Sequence, residues 1–482
     1  MTSLLQYRGK KLRKGYPMSL RRPNGFISAG YDPLEVPNAP TIGTATFASA
    51  TSVSVTFTAP ANVGGSAITG YVATAKKTSD GTTISGTGSS SPVTISGLTT
   101  GSAYTVTVAA VNSFGLGVSS AASNSVTPLA FELYAWGNGG NGRLGLGDTT
   151  NRSSPVQVGS LTTWYQVTGG AYFSLAVKTD GTMWSWGYGG QGRLGLGDVV
   201  SRSSPVQVGS LTNWKDVNAG VGCFAIKTDN TLWAWGSNNS GLLGLGDTAN
   251  RSSPVQVGAL TDWQSVSTSG YSTVAVKTNG TLWSWGYNGQ GQLGQNNTTY
   301  LSSPVQVGAL TNWYSVAASR RNVLAIKSDG TLWAFGRNNS GQLGINSTAN
   351  VSSPVQVGAL TTWYSLAGGD SHTLAAKIDG TLWSWGLNNK GQLGFNDTNN
   401  RSSPVQVGAL TTWGKIVGLQ TSSVALKTDG TLWVWGYNAS GELGQNNTVD
   451  VSSPVQVGSL TSWSTIPVAA SRASHLLAIK SP

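Results

Sequence analysis

The chain has 482 residues, 65 of them Gly and 19 Trp, with 10% charged side chains, which is too aromatic for a disordered polypeptide and too glycine-broken for long helices. A single cysteine, Cys223, and two histidines exclude an internal disulfide framework and a zinc centre built from such ligands. The net charge of +11 invites a nucleic-acid reading, but residues 1–36 alone hold seven Lys/Arg against two acids, and the remainder is spread without a basic stripe, which argues against that partner.

Residues 1–36 form a basic arm carrying Arg8, Lys10, Lys11, Arg13, Lys14, Arg21 and Arg22. The arm is too short and polar to hold a core, and these side chains are expected to anchor it on an acidic surface. No apolar run of seven or more follows the charges, so no secretory leader is expected. No apolar stretch anywhere reaches eighteen residues, so no membrane insertion is expected either.

Residues 37–128 alternate apolar and polar positions in SVSVTFTAP and AYTVTVAAV between turn clusters, the period of half-buried strands. The segments GGSAITGY (Gly64–Tyr71) and GLTTGSAYTVTVAAVN resemble a fibronectin type III module over about ninety residues. The resemblance implies a β-sandwich with Tyr104 as its tyrosine corner and Phe57 at a core aromatic position.

From residue 129 to 482 the sequence repeats. The proline of SSPVQVG recurs at Pro155, Pro205, Pro254, Pro304, Pro354, Pro404 and Pro454, at intervals of 50, 49, 50, 50, 50 and 50 residues. Such a period marks a solenoid or propeller. A Trp-Gly pair keeps the same beat, with Phe335 substituting once; a second Trp stands two residues before it and a third follows Leu-Thr. Each repeat reads as four short strands, WYQV, SLAVK, TMWSWG and PVQVG in the first. The Asp180-Gly181 pair joining the second and third favours a type I′ hairpin. The array opens at FELYAWG, a third strand, and ends on WSTIPV and HLLAIK, a first and a second. Pairing these ends gives six whole blades and one composite blade, an all-β, closed seven-bladed propeller without exposed sheet edges.

Trp-Gly followed by GQLG (Gly291–Gly294, Gly341–Gly344, Gly391–Gly394) and a proline-led strand resembles the regulator of chromosome condensation repeat family across residues 131–482. The resemblance implies the propeller and leaves activity open, since that family includes an exchange factor, inhibitors and others. Guanine nucleotide exchange is not supported: no inserted loop is apparent, and the family's histidine before the second strand has counterparts only at His372 and His475.

Nothing resembles GxSxG, HExxH, a Walker loop or CxxC, so the chain reads as non-enzymatic, with no cofactor and no metal. Asp148, Asp198 and Asp247 recur in turn-rich loops and read as hydrogen-bonding turn residues before calcium ligands. Seven lysines, Lys178 to Lys480, end the second strands and read as a solvated ring. The tryptophans read as core and inter-blade packing. Variation within the copied repeat concentrates between the first and second strands, at Tyr172, Tyr271, Arg320, Arg321, Asp370 and His372; these are the expected ligand-binding residues at one end of the axis.

External-type modules without a leader or disulfides point to a virion protein, made in the host cytoplasm and released by lysis. GFISAGYDPLEVPNAPTIGTATF resembles the lead-ins to such modules in structural proteins of tailed phages. The expected role is a multi-copy tail or capsid component. Its arm binds other virion proteins, and its propeller meets a host-surface glycan or protein. The alternative is a cytoplasmic or secreted adaptor for a protein partner.

Overall fold

The computed structural model describes residues 35–268, 270–467 and 472–481. The anchoring side chains Arg8, Lys10, Lys11, Arg13, Lys14, Arg21 and Arg22 lie outside them. Among the described residues the elements are strands, apart from three single 3-10 turns.

The first domain packs a sheet of Thr41–Ser49, Ser52–Thr58 and Val93–Ser96 on one of Thr83–Gly88, Gly70–Lys77, Tyr104–Asn112 and Gly115–Leu116. Alternation does the sorting: Val53, Val55, Ala73, Ala75, Val106 and Val108 face inward and are fully buried. Buried Tyr104 accepts the Thr99 amide hydrogen on its hydroxyl at 3.0 Å, the tyrosine corner. Phe57 packs on Tyr71 with ring centroids 4.5 Å apart.

The second domain is a ring of seven four-stranded antiparallel sheets. We number its blades 1 to 7 from the first complete repeat and letter the strands a to d outward from the axis. Blade 1 comprises Trp164–Gly169, Phe173–Lys178, Met183–Gly187 and Arg202–Gln207. Blades 2 to 6 begin at Trp214, Trp263, Trp313, Trp363 and Trp413. Blade 7 is composite, with strands a (Trp463–Thr465) and b (His475–Lys480) preceding c (Glu132–Gly137) and d (Arg152–Gln157) in space. Its b and c strands pair over the full register from His475↔Gly137 to Lys480↔Glu132.

Why Trp-Gly and G-x-L-G travel together is a matter of contact between blades. The indole nitrogen of Trp186 donates to Arg143 O (2.9 Å), Trp235 to Arg193 O (3.1 Å), Trp385 to Gln342 O (3.0 Å), Trp435 to Gln392 O (2.9 Å) and Trp136 to Glu442 O (3.0 Å). Each acceptor is the second residue of the G-x-L-G run in the preceding blade. The last glycine of that run lies under the ring: a Cβ on Gly145 would stand 2.8 Å from Trp186 Nε1, and one on Gly444 2.7 Å from Trp136 Nε1. The tryptophan therefore needs glycine there. Burying each ring removes about 150–250 Å² from water and gives the buried indole N–H a carbonyl acceptor.

Two expectations are corrected. The strand-end lysines are not solvated: Lys178, Lys227, Lys277, Lys327 and Lys377 are all buried. Lys327 Nζ lies 3.7 Å from the Trp333 ring centre and 5.0 Å from that of Trp313, and the other blades repeat this, for instance Lys227 at 3.7 Å from Trp233 and 5.0 Å from Trp214. The aliphatic stem runs between the tryptophans of strands a and c, leaving the ammonium on their π-faces. Burial pulls the Lys178, Lys227 and Lys327 ammonium groups below the usual lysine range, with Asp180, Asp229 and Asp329 acting against it. In blade 7, where Tyr134 replaces the strand c tryptophan, Lys480 Nζ instead approaches Glu132 Oε2 at 3.5 Å. Lys327→Met, which keeps the stem, is expected to cost about 1–2 kcal/mol in urea unfolding. An unchanged midpoint would show that the ammonium contributes nothing.

The hairpin turn is also not type I′. Gly181 N bonds Lys178 O at 3.0 Å and only Gly181 (φ +75°) is left-handed there, so a type I turn is closed by one left-handed residue. Asp180 Oδ1 accepts from Thr182 N (2.9 Å) and Oγ1 (2.6 Å), and Thr182 Oγ1 accepts the Trp184 indole hydrogen at 2.9 Å. The Thr-Asp-Gly-Thr run thus holds a tryptophan as well as a turn.

Candidate binding face

Strand direction decides which end of the propeller is free. In each blade the a–b and c–d loops share one end, here the top, and the b–c turns and d–a connections share the other. The first domain joins strand c of blade 7 through Phe131, whose amide bonds Thr162 O at 2.8 Å and whose ring meets Phe47 of the sandwich edge-on at 5.7 Å. The sandwich therefore attaches at the bottom and leaves the top loops unobstructed.

Along the axis runs a channel of about 1150 Å³ lined by strand a of the blades. Its lower mouth carries Tyr165, Tyr314 and Tyr364, each more than half or close to half exposed, together with Lys215 and Lys415. Above, the a–b loops are tied to one another: Ala171 N to Gly220 O (3.2 Å), Asp370 N to Gln420 O (3.1 Å) and Gln420 N to Ala473 O (3.1 Å).

The loops bring most of the expected ligand-binding residues together. Arg320 of blade 4 pairs with Asp370 of blade 5 at 3.0 Å. The Arg321 guanidinium lies 5.5 Å from the Tyr271 ring centre. Desolvation pushes the Tyr271 hydroxyl up, but a hydrogen bond from Arg320 and the charges of Arg472, Arg320 and Arg321 outweigh it, leaving its pKa below the usual tyrosine value. Tyr172 belongs to a second group: it is exposed, packs edge-on against Tyr188 at 6.2 Å, and has the Arg143 guanidinium 5.1 Å from its ring.

His372 does not belong to the face. It is 1% exposed, because the first residue of strand b points between blades. Ser423 Oγ donates to Gln392 O at 2.7 Å and so accepts from His372 Nε2–H at 3.0 Å. His475 makes the same link from blade 7 to blade 1, its Nε2 2.8 Å from Ser174 Oγ, whose hydrogen goes to Arg143 O at 2.8 Å. Burial lowers the pKa of His372 to about 4. Burial, with the charge of Arg143 adding to it, lowers that of His475 to about 3. Both are neutral blade-to-blade straps.

The loop aspartates act as turn residues. Asp148 Oδ1 accepts from Thr150 N at 2.9 Å and its Oδ2 pairs with Arg152 at 2.6 Å; Asp198–Arg202, Asp247–Arg251 and Asp397–Arg401 repeat the ion pair.

Several residues of the face escape the sequence pattern. Arg472 crosses from blade 7 to put its guanidinium 5.5 Å from the Tyr271 ring. It can do so because the blade 7 a–b loop is longer: Trp463 to Lys480 spans three residues more than Trp363 to Lys377. The expectation of no inserted loop is corrected accordingly. Tyr287 and Tyr300 sit in the c–d loop, where variation also occurs and carried the available signal. The same signal marked Tyr165, Tyr314 and Tyr364, which follow an invariant tryptophan at a position otherwise filled by Lys, Gln, Gly or Ser.

The family described as RCC1-like domain matches residues 213–478, more than half of the chain. Regulator of chromosome condensation (RCC1) repeats match residues 132–177 and 180–226, and the fibronectin type III domain matches residues 38–126. No curated protein matches the chain. Among solved structures, yeast RCC1 (Prp20), crystallised with Kap60, aligns with a TM-score of 0.65 at 17% identity, covering 73% of this chain and 89% of that one. Prp20p from Saccharomyces cerevisiae, described with its binding to Gsp1p and histones, gives 0.63 at 18%, covering 73% and 91%. Human WBSCR16 gives 0.65 at 19%, covering 73% and 99%. At these identities the likeness is one of fold.

Proposed function

We propose, because this chain belongs to the RCC1-like domain family, that its propeller is a non-enzymatic binding head that works through its top face. The observation that carries this reading is the contrast between scaffold and face. The repeated Trp, Lys, Asp and Thr side chains are committed to internal contacts, whereas tyrosines in contact with arginines, residue types that anchor interfaces, stand on the loops opposite the sandwich.

The finer reading is a virion component. Residues 1–36 anchor the chain to other virion proteins, residues 37–128 act as a spacer, and residues 129–482 are displayed in several copies toward the host surface. The attachment of the sandwich at the far end from the tyrosine–arginine loops supports this arrangement. Deleting residues 1–36 is then expected to abolish incorporation into particles while the protein still folds; unchanged incorporation would sink the anchoring role. For the head, the full chain carrying Tyr172→Ala and Arg321→Glu is expected to lose at least tenfold in host-cell binding. Tyr165→Ala with Tyr314→Ala, at the opposite end, should bind as before, and a reversed outcome would move the site to the lower mouth.

A second reading, an adaptor for a soluble protein partner, draws on the solved neighbours, since yeast RCC1 was crystallised with Kap60. There the same top-face pair would abolish partner capture, and a chain lacking residues 1–36 would keep it.

A further inference from the structure

Around Tyr271 the top face gathers positive charge that the protein does not balance. The guanidinium groups of Arg321 and Arg472 each lie 5.5 Å from the Tyr271 ring centre. Arg320 is close by: a Cβ at Gly270 would stand 3.1 Å from Arg472 Nη1 and 3.3 Å from Arg320 Cγ, so glycine there leaves room for both chains. Against three cations stands Asp370, already paired with Arg320 at 3.0 Å. Among the described residues no ion pair engages Arg321 or Arg472. The Nε atoms of Arg320 and Arg321 and the Oδ1 of Asp370 have no hydrogen-bond partner, a costly arrangement for charged groups.

Beside this cluster the aromatic rings form a row. Tyr271 and Tyr287 are 5.7 Å apart, Tyr287 and Tyr300 4.6 Å, and Tyr300 is about half exposed. The row runs outward from the axis along blade 3.

We propose that this end of the top face is a site for an acidic oligosaccharide, its carboxylate held by Arg321 and Arg472 and its sugar rings laid along Tyr271, Tyr287 and Tyr300. The proposal rests on the binding-face reading and deepens it. Guanidinium forks match a carboxylate's two oxygens, and flat aromatic rings suit the apolar faces of pyranoses. Asp370 favours this ligand over an acidic peptide because its carboxylate can accept from a sugar hydroxyl, a donor that ionised acidic side chains do not offer. Peptide docking by strand addition is disfavoured because the loop amides are paired within the face, Tyr287 N to Tyr271 O at 2.9 Å and Arg337 N to Arg321 O at 2.8 Å. A polynucleotide would call for a basic track beyond one cluster.

The test is calorimetric titration of the full chain with carboxylated glycans: tetragalacturonate, a hyaluronate tetrasaccharide and sialyllactose. Maltotetraose, hexaglutamate and oligo-dT serve as comparators. At least one carboxylated glycan is expected to bind, with maltotetraose at least tenfold weaker. Arg472→Ala and Arg321→Lys should each lower affinity tenfold or more while leaving the unfolding midpoint in place. Tyr300→Ala should weaken tetrasaccharides but not the monosaccharide galacturonate. Failure of all three glycans to bind, equal binding of maltotetraose, or tighter binding of hexaglutamate or oligo-dT lost in Arg472→Ala would overturn it. Loss of host-cell or partner binding in Arg321→Glu without any glycan binding would remove the saccharide and keep the face. Glycan binding with host-cell and partner binding untouched by top-face changes would do the reverse.

Discussion

Gly444→Ala is expected to lower the unfolding free energy of the propeller by about 3–5 kcal/mol, the range of a disrupted large core residue, whereas Gly458→Ala should cost about 1 kcal/mol. Both glycines are left-handed, φ +64° and +59°, so both variants bear a similar backbone strain. They differ in what the new methyl group meets. At Gly458 nothing lies within 4 Å; at Gly444 the Cβ would fall 2.7 Å from Trp136 Nε1, with further indole atoms at 3.1 and 3.2 Å. Trp136 cannot retreat, being fully buried, packed on Trp463 at 5.9 Å and bonded to Glu442 O. Its displacement would open the seam between blades 6 and 7, the blade built from both ends of the array. Chemical unfolding followed by tryptophan fluorescence separates the two terms, and equal losses in the two variants would show that the ring makes no demand on that glycine.

Lowering the pH from 7 to 5 is expected to remove about 3–4 kcal/mol of stability, most of it through His372 and His475. Their pKa values fall from 6.5 to about 4 and about 3 on folding. Below about pH 6.5 the unfolded chain takes up protons that the folded chain refuses. Stability is therefore complete above that pH, falls as the pH drops toward 4 and 3, and levels off once the buried imidazoles are themselves protonated. Each histidine contributes about 1.4 kcal/mol per pH unit within the window. Burial raises the pKa of Asp216 and Glu442, so these groups act in the opposite direction, and the lowered aspartates matter only in more acid solution. Substituting Asn at both positions isolates the histidine part, since Asn322 already occupies the equivalent place in blade 4. The double variant should lose little between pH 7 and 5, and a slope equal to that of the unchanged protein would assign the effect elsewhere.

The blade count, the composite closure and the sandwich were legible because each is written as periodicity: proline and Trp-Gly every fifty residues, alternation every two. Tyr104 was readable because its role depends on a local corner. What could not be read depends on neighbours the ring supplies. The lysine at the end of strand b looked solvated because a linear pattern shows it next to a turn, not between tryptophans of strands a and c. His372 varied as a ligand residue would, yet the strand register turns it into the blade interface. Arg320, Arg321, Asp370 and Tyr271 were found by their variation. Arg472, 201 positions from Tyr271 in the chain, meets it only because the ring brings the a–b loops of blades 7 and 3 together over the axis.

Strand c of blade 7 leads to the sandwich and is held on both flanks, by b from His475↔Gly137 to Lys480↔Glu132 and by d through Tyr134↔Gln157, Ala135↔Val156 and Gly137↔Arg152. A pull on the sandwich while the top face grips a surface runs along this strand. The hydrogen bonds on either side are then sheared together and must rupture in concert, not peeled one by one. The composite blade makes the tether point a joint that carries tension in shear, and its lifetime under that tension is set by an unfolding rate rather than by equilibrium stability.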